Sequence, residues 1–219
     1  KMSDRGFSDE NKEEIRVFRA EARFLRALSY FHAMDMFGNI PFVDETTPIG
    51  SNDVPQILRP DLFNWIESEL LDIEDILLSP SLVPYGRASK AAAQSLLAKM
   101  YLNAEVYTEM PRWTDCINYC NKVINDGSFS LDDNYSHLFM ADNHNSPEII
   151  FPVCFDGNFT QTWGGATFLI NAAIGSTMDP ADYGSSGGWN GLRATPTFVN
   201  AFSDSTIDSR WKFHTKGEK

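Results

Sequence analysis

The chain has 219 residues, 42% of them apolar, and a formal net charge of −12 at pH 7. This length and composition are enough for a sizeable hydrophobic core, and no apolar run approaches the roughly 20 residues that a membrane-spanning helix needs. The acidic balance argues against nucleic acid as a partner, because such binding draws much of its affinity from Lys and Arg at phosphates. We therefore expect a globular protein that does not bind nucleic acid.

The first predicted element is an amphipathic helix that ends near Phe37. Gly38 tolerates the left-handed conformation that ends helices, and Pro41 lacks the backbone donor that would continue one. Helical spacing places an apolar stripe on one side, and we expect this stripe to be the packing surface. Its members are Ile15, Phe18, Ala22, Leu25, Leu28 and His32.

Two helical hairpins are predicted. The first has a long connection over residues 38–60, after which Asp61 is expected to cap a second helix. The apolar positions of that helix are Leu62, Phe63, Ile66, Leu70, Ile73 and Leu77. In the second hairpin, Ser89 can cap a helix that runs to about Glu109, and Pro111 starts a partner helix. The partner has one apolar face, made of Trp113, Cys116, Ile117, Cys120 and Ile124.

The hairpins are related by an internal repeat. Superposing Arg23–Phe31 on Gln94–Leu102 matches Leu, Ala and Tyr positions at an offset of 71 residues, about twice the tetratricopeptide period. Hairpins of this kind stack, and each buries its apolar face against the next. The sequence therefore predicts a mostly α-helical, tetratricopeptide-like scaffold over residues 13–127, with Trp65 and Trp113 on its packed helix faces.

After Gly127 the sequence becomes rich in loops. Eight of the 14 glycines fall between residues 157 and 191, and no Lys or Arg occurs from Val123 to Leu192, where acidic residues recur. A phosphate-bearing or polyanionic ligand would be repelled by such a segment. The pattern favours a neutral, hydroxyl-rich ligand.

Trp189 is the main candidate for contact with such a ligand. In GGWNG it lies between glycines that leave its ring face uncovered, and the neighbouring Asn190 can both donate and accept hydrogen bonds. A pyranose could stack its C–H face on the indole. Trp163, in TWGG, repeats the pattern. The alternative is that these loop tryptophans fold back to cover a core.

Three further candidates are weaker. Tyr183 and Asp182 could supply a second ring and an acceptor, although both are ordinary turn residues. Arg193 is the first cation after the gap, so it could hold a ligand hydroxyl or pair with Asp182. We assign Trp211 to structure.

No metal site or cofactor is expected. Asp132-Asp133-Asn134, and Asp179 with Asp182, lack the spacing of an EF-hand loop. The four histidines show no zinc-ligand spacing with the cysteines. The three cysteines are expected to be core thiols, with Cys154 in an apolar strand.

Four segments in order carry a family resemblance. The first is EARFLRA, Glu21–Ala27, which runs into Tyr30, Phe31, Phe37, Gly38, Ile40 and Pro41. The others are GRASKAAAQSLLAKMYL (Gly86–Leu102), a strand-forming NSPEIIF (Asn145–Phe151), and GGWNGLRATPTFVNAF (Gly187–Phe202), a loop followed by a helix. Together they resemble the RagB/SusD family, the glycan- and nutrient-binding outer-membrane lipoproteins of Bacteroidota.

The resemblance implies a cell-surface protein that captures an oligosaccharide and delivers it to a TonB-dependent transporter of the SusC type. It also implies a lipid anchor on the outer face of the outer membrane. Family members are more than twice this long and begin with a signal peptide and a lipid-bearing cysteine. The opening KMSDRGFSDENKEE has neither feature.

We therefore expect part of a single SusD-like domain. Residues 13–127 would be the scaffold, and residues 128–219 a ligand-facing, Gly- and Trp-containing segment packed on it, with a following helix. By analogy with the family, the helices would face the transporter and the loops the ligand.

Other functions stay open. Some relatives of this kind take peptides, and a tetratricopeptide-type protein–protein adaptor also fits the helical repeats. Paired carboxylates can hydrolyse glycosides. However, the sequence contains no Ser-His-Asp order, Gly-x-Ser-x-Gly elbow or phosphate loop. We expect no catalytic residues.

Overall fold

A computed structural model describes residues 8–50, 53–155, 158–160, 163, 165–175, 177–202, 206–208 and 210–214. The first seven residues of the opening segment lie outside this description. The chain divides into two compact units, Lys1–Val153 and Cys154–Lys219. The fold is mostly helical, as predicted. Among the described residues, no helix combines the length and the apolar character needed to cross a membrane.

The first unit is a stack of helices. Its α-helices and strands are α1 (Asp9–Phe37), β1 (Ile40–Pro41), β2 (Gln56–Ile57), α2 (Arg59–Glu74), α3 (Lys90–Leu102), α4 (Ala104–Thr108) and α5 (Trp113–Asp126), and 3-10 helices follow at Tyr135–Phe139 and Asn143–Asn145. Helix α1 packs on α2, α2 on α3, and α3 on α5. The two short strands pair antiparallel within the connection after α1, with Ile40 opposite Ile57.

Helix α1 ends where the sequence predicts, at Phe37. Gly38 has a φ of 74°, and its N–H donates to the carbonyl of Met34. The predicted packing stripe is wrong, however, because Leu25 is 50% exposed, and Ala22 and His32 are also exposed. The buried positions are Val17, Ala20, Phe24, Ala27, Phe31 and Met34. Most lie one residue before a predicted member, which is a rotation of about 100° around the helix.

The core lies between α1, α2 and α3. Its largest fully buried side chains are Phe24, Phe31, Phe63, Met34, Leu62, Ile66, Leu70, Ile73, Leu97 and Met100. The apolar set predicted for α2 is confirmed, because each of its members is no more than 4% exposed. Small residues such as Ala27 and Ala93, both 0% exposed, let neighbouring helices approach closely.

The helix ends differ in part from expectation. Ser89 caps α3, and its hydroxyl accepts from the N–H of Ala92 at 3.2 Å. This helix was predicted to continue to about Glu109, but it breaks at Asn103 and continues as α4. The predicted cap at Asp61 is wrong, because α2 already begins at Arg59, with Pro60 in its first turn. Proline suits that position because its missing N–H would be unsatisfied there anyway.

Charged side chains join α1 to α2. Arg23 forms two hydrogen bonds to the Glu69 carboxylate, at 3.0 and 2.7 Å, and Arg26 forms a third at 2.6 Å. Arg26 also pairs with Glu45 at 2.6 Å, and its guanidinium lies 5.0 Å from the ring centre of Trp65. Burial raises the pKa of Glu69, but the two arginines outweigh it and the net pKa is lowered. The EARFLRA segment thus carries two arginines that anchor α1 to α2.

A second polar network joins α2, α3 and α5. Glu74 accepts hydrogen bonds from Gln94 at 2.8 Å, Lys122 at 2.9 Å and Tyr119 at 3.0 Å. Burial raises the pKa of Glu74, and these three donors reverse the effect, so that its pKa lies below the usual value. One buried carboxylate therefore connects three helices.

The apolar face predicted for α5 is not the face that packs. Only Cys116 of that set touches the core, together with Tyr119. Trp113 is 57% exposed, Ile117 60% and Ile124 70%, so the assignment of Trp113 to a packed face is wrong. The expectation of core thiols is also wrong, because Cys116 is only partly buried, and Cys120 and Cys154 are exposed.

Residues 145–151 do not form the expected strand. The segment is irregular and follows a short 3-10 helix, Asn143–Asn145. Ile150 and Phe151 still pack against the core, and the Phe151 ring meets Phe24 edge to face at 5.1 Å. The apolar residues of NSPEIIF are thus used for packing without strand pairing. Cys154, also predicted in a strand, lies in irregular structure.

The described part of the second unit contains three short helical elements. They are α6 (Gly165–Ala173), a 3-10 helix (Pro180–Tyr183) and α7 (Pro196–Val199). Helix α6 was not predicted, because the glycines around it gave the segment the composition of a loop. Trp211 packs edge to face on Phe213 at 5.6 Å, within a cluster that includes Phe198 and Phe202.

Replacing Phe31 by Ala tests the corrected packing face of α1. Phe31 is 1% exposed, so its loss should lower the free energy of unfolding by about 3–5 kcal/mol. Phe37→Ala is the matched control, because Phe37 is 70% exposed in the same helix and should cost less than about 0.5 kcal/mol. Urea unfolding measures both. Equal losses would contradict this packing face.

The Glu74 network should make stability depend on pH. Because the folded pKa of Glu74 is lowered, its contribution is present above the unfolded pKa and is lost as pH falls through the folded value. Glu74→Gln should cost about 1.5–3 kcal/mol at pH 7, since a charged acceptor is lost. The difference between the two proteins, measured by urea unfolding from pH 7 down to pH 3, should shrink on acidification. A difference that stays constant would exclude this role.

Candidate functional site

The main aromatic surface among the predicted ligand-binding residues is a pair of tryptophans in the second unit. The rings of Trp163 and Trp189 lie 6.3 Å apart between centroids, at an interplanar angle of 37°. Trp163 is 81% exposed and Trp189 is 45% exposed. Thr162 and Gly164, which flank Trp163 in the TWGG motif, lie outside the described residues. The two tryptophans that the sequence singled out are thus neighbours, and both present ring surface to solvent.

The GGWNG loop is built on the end of α6. The N–H of Trp189 donates to the carbonyl of Asn171 at 2.7 Å, and the N–H of Asn190 to that of Ile174 at 3.0 Å. The carbonyl of Ala172 accepts from the N–H groups of Gly191 and Leu192, at 2.9 and 2.8 Å. The last carbonyls of a helix have no partner within the helix. The loop supplies these partners, and in return the helix end fixes the loop backbone.

Close backbone contact explains one glycine of the loop. A Cβ added at Gly188 would overlap the backbone carbonyl and the side chain of Ile174, which is itself 2% exposed. A Cβ added at Gly187 would meet nothing within 4 Å. Only the second glycine is therefore required by packing, and it directly precedes Trp189.

Asn190 and Arg193 form a polar edge beside Trp189. Asn190 has a φ of 54°, a left-handed conformation that Asn adopts more readily than most residues. Arg193 donates to the side-chain oxygen of Asn190 and, at 2.9 Å, to the carbonyl of Leu192. From the sequence, Arg193 was expected either to hold a ligand hydroxyl or to pair with Asp182. The contacts of the described residues include no pair between Arg193 and Asp182.

Tyr183 and Asp182 lie on a separate turn. Both belong to the 3-10 helix Pro180–Tyr183, which Asp179 caps by accepting from the N–H of Ala181 at 3.0 Å. Tyr183 is 46% exposed, and Asp182 is also exposed. Within the described part of the chain, no hydrogen bond or ring contact joins either residue to the tryptophan pair. Four of the six candidates therefore lie together.

Two residues important to this geometry were not predicted as part of the site. Phe168, on α6, lies 6.3 Å from the Trp189 ring and supports it from the helix side. The side-chain oxygen of Asn171 accepts from the Ser185 hydroxyl at 2.7 Å, while the Asn171 backbone holds Trp189. Neither has a local sequence signal, because each lies 16 or more residues from the loop that it supports.

The structure also contains a cavity of about 510 Å³ in the first unit. It is lined by Arg26, Ser29, Tyr30, Ala33, Phe37, Ile40 and Pro41. None of the six predicted residues lines it. Its wall consists of residues of the EARFLRA helix and of the FGNIP turn that follows.

The acidic residues that were considered as metal ligands have turn roles where they are described. The Asp132 side chain accepts from the N–H of Asn134 at 3.0 Å and contacts the His137 ring at 3.2 Å. Among the described residues, no group of three or more His, Cys, Asp or Glu is arranged so that it could hold a metal ion.

The chemistry available at the tryptophan pair suits a ligand that has both an apolar face and polar groups. Two exposed indoles offer apolar ring faces, and Asn190 and Arg193 supply a donor-rich edge beside them. Such a combination of an apolar platform and a few placed polar groups is typical of small-molecule sites. A sugar, with its apolar C–H face and hydroxyl rim, has matching features.

Comparison with known proteins gives the class. The SusD-like family described as "Starch-binding associating with outer membrane" matches residues 4–102. The starch-binding protein SusD of Bacteroides thetaiotaomicron is 38% identical over 195 residues, which are 87% of this chain and 34% of that protein. SusD-like protein P25 of Formosa agariphila is 29% identical over 178 residues, 77% of this chain and 32% of that protein. The chain spans about a third of the length of these two relatives.

Solved structures agree on the fold. A SusD superfamily protein from Parabacteroides distasonis has a TM-score of 0.76 at 22% identity, over 95% of this chain and 43% of its own. A SusD-like carbohydrate-binding protein from Bacteroides fragilis has a TM-score of 0.64 at 26% identity, over 79% of this chain and 32% of its own. The predicted resemblance to the RagB/SusD family is confirmed: this is a SusD-like chain with a tetratricopeptide-type helical scaffold.

Gly188→Ala should disrupt the loop that carries Trp189. The added methyl group overlaps the Ile174 backbone, so the loop must move, at a cost of about 1–3 kcal/mol in the free energy of unfolding. Gly187→Ala is the matched control and should be close to neutral, because open space surrounds that position. Urea unfolding followed by tryptophan fluorescence compares them. Indistinguishable midpoints would show that the contact between the loop and α6 is not as described.

Proposed function

We propose that the protein binds a neutral oligosaccharide at the cell surface and that the second unit carries ligand-contacting residues. The observation that carries this proposal is the pair of exposed, adjacent tryptophans with Asn190 and Arg193 at their edge. The absence of Lys and Arg from residues 123–192 supports a ligand without phosphate or other anionic groups. Trp189 and Trp163 would stack against sugar rings, and the two polar residues would bind hydroxyl groups.

A starch fragment is the first ligand to test. The relative from Bacteroides thetaiotaomicron is named a starch-binding protein, and it shares 38% identity with this chain. Tyr183 and Asp182, on the neighbouring turn, would be secondary contacts. The protein would bind without catalysis, as expected of a nutrient-capture protein that passes its ligand on intact.

The remaining steps of uptake rest on the family. We propose that the protein is held by a lipid anchor on the outer face of the outer membrane and passes its oligosaccharide to a SusC-like, TonB-dependent transporter. The family description, "associating with outer membrane", supports the location. Residues 13–127 and 128–219 would belong to one SusD-like domain, as its scaffold and its ligand-facing segment respectively.

Two alternatives concern the ligand. A peptide-binding member of the same family would share the helical scaffold, and its second unit would bind the backbone of a peptide ligand. A tetratricopeptide-type adaptor would instead bind a protein segment through its helices. For neither alternative do the described residues supply an observation as specific as the tryptophan pair is for the glycan function.

Calorimetric titration tests the proposal. The protein is titrated with maltooligosaccharides, with other neutral oligosaccharides and with a peptide mixture. Trp189→Ala should weaken glycan binding by about tenfold or more, equivalent to about 1.4 kcal/mol, because it removes a stacking face and the centre of the site. Trp163→Ala should also weaken it.

Trp113→Ala is the matched control for this titration. Trp113 has a similar exposure, 57%, but lies on α5 in the first unit. It should leave the affinity unchanged. Glycan binding that survives both site substitutions would move the site away from the GGWNG loop. Heat from peptides alone would exclude the glycan function.

A further inference from the structure

Gly175, which follows the end of α6, lies against Asn190. A Cβ added at Gly175 would come within 2.8 Å of the side-chain carbonyl carbon of Asn190 and 2.9 Å of its Cα, and it would overlap the side-chain oxygen. The φ of Gly175 is not positive, so the backbone conformation itself does not require glycine. The close approach of Asn190 does, because any larger residue would displace it.

Asn190 is held by both its backbone and its side chain. Its N–H donates to the carbonyl of Ile174 at 3.0 Å, and its φ of 54° is left-handed. Its side-chain oxygen accepts from Arg193 and also lies against Gly175. The backbone and the amide oxygen of Asn190 therefore have fixed positions beside Trp189.

The contact with Arg193 determines the direction of the Asn190 amide. A guanidinium group has donors and no acceptor, so the amide atom that faces it is the oxygen. The NH₂ group, with two donors, is on the other branch of the side chain. None of the hydrogen bonds among the described residues uses this NH₂ group, and Asn190 is exposed. The polar edge beside Trp189 thus offers a donor at a fixed position.

We propose that Gly175 is a positioning residue which, together with Arg193, holds Asn190 as the specificity-determining donor of the site. This inference rests on the proposed glycan function. The NH₂ group of Asn190 donates to one oxygen of the sugar that stacks on Trp189.

Stacking and donation have different consequences for specificity. Stacking on an indole needs only an apolar C–H face, which many sugars offer. A donor at a fixed position instead distinguishes a sugar that has an oxygen at that place from a sugar that lacks it. Because the Asn190 amide is already held in the free protein, it loses little conformational entropy on binding.

Selectivity between two ligands tests the role of Asn190. The probes are methyl α-maltoside and its monodeoxy analogues, each lacking one hydroxyl group, and ligand-observed NMR titration gives their affinities. The wild-type protein should bind one analogue about fivefold more weakly than the parent, which is the effect of one hydrogen bond. Asn190→Gly, which suits the left-handed φ, should bind that analogue and the parent equally. Trp189→Ala should weaken both ligands and keep their ratio, as should any purely structural change.

Gly175→Ala should reproduce the loss of selectivity although Asn190 is still present. The added methyl group displaces Asn190, so the ratio of the two affinities should fall towards one. Gly187→Ala is the matched control, because a Cβ there meets nothing within 4 Å, and it should keep the wild-type ratio. Urea unfolding confirms that each variant is folded. A wild-type ratio in Gly175→Ala would overturn its positioning role.

The deoxyfluoro analogue at the same carbon tests the direction of the hydrogen bond. Fluorine can accept a hydrogen bond weakly and cannot donate one. Because Asn190 donates, the fluoro analogue should bind more tightly than the deoxy analogue. Equal binding of the two would overturn the assignment of Asn190 as the donor.

The outcomes separate this inference from the proposed function. A wild-type protein that does not bind methyl α-maltoside would contradict the starch-type function, and the inference with it. Binding that Trp189→Ala weakens, with a wild-type ratio in Asn190→Gly, would keep the glycan function and overturn only the role of Asn190. Equal binding of the parent and every deoxy analogue by the wild type would also overturn that role.

Discussion

The burial of α2 between two neighbours is the interaction on which the helical unit depends. Leu62, Ile66 and Leu70 are 0% exposed, because α1 covers this helix on one side and α3 on another. The polar contacts of α2 follow from this central position. Glu69 binds two arginines of α1, and Glu74 binds donors on α3 and α5. The charged contacts thus join α2 to its neighbours, while the apolar surface supplies the larger share of the stabilising free energy.

In the second unit, hydrogen bonds between the GGWNG loop and the end of α6 hold the structure together in a comparable way. The last carbonyl groups of α6 have no partners within the helix, and the N–H groups of the GGWNG loop donate to them. Their pairing holds Trp189 with its backbone fixed and its ring beside Trp163 and Phe168. A preorganised aromatic platform loses little conformational entropy on binding, which favours affinity for a ligand that offers few strong contacts.

The prediction of buried positions from the sequence was most accurate for α2, which neighbouring helices enclose on both sides. The apolar positions of α2 were correct throughout, because a helix with buried neighbours has a strong periodic pattern. The stripe on α1 was misplaced by about 100° because apolar residues such as Leu25 and Phe24 occupy adjacent positions, and spacing alone cannot rank them. For α5 the pattern identified which residues share a face. It could not tell whether a partner covers that face.

Four of the candidate residues lie together as the sequence suggested, but the way in which the fold positions them was not predicted. Composition and the two Gly-Trp motifs singled out Trp163, Trp189, Asn190 and Arg193, and the structure places these four together. Their support from α6 was missed, since glycines hid the helix. The Asn171 carbonyl that holds Trp189 lies 18 positions earlier in the chain. Such contacts are set by tertiary folding and have no local pattern.

Hydroxyl-radical footprinting of the five tryptophans, with and without a saturating maltooligosaccharide, tests glycan binding by the tryptophan pair most directly. Oxidation of each indole depends on its exposure, so one experiment reports on the pair and on its internal references together. Oxidation of Trp163 and Trp189 should slow when the glycan is present, while that of Trp113 and Trp211 should not change. Unchanged oxidation of the pair under conditions of demonstrated glycan binding would show that the glycan does not bind at these two tryptophans.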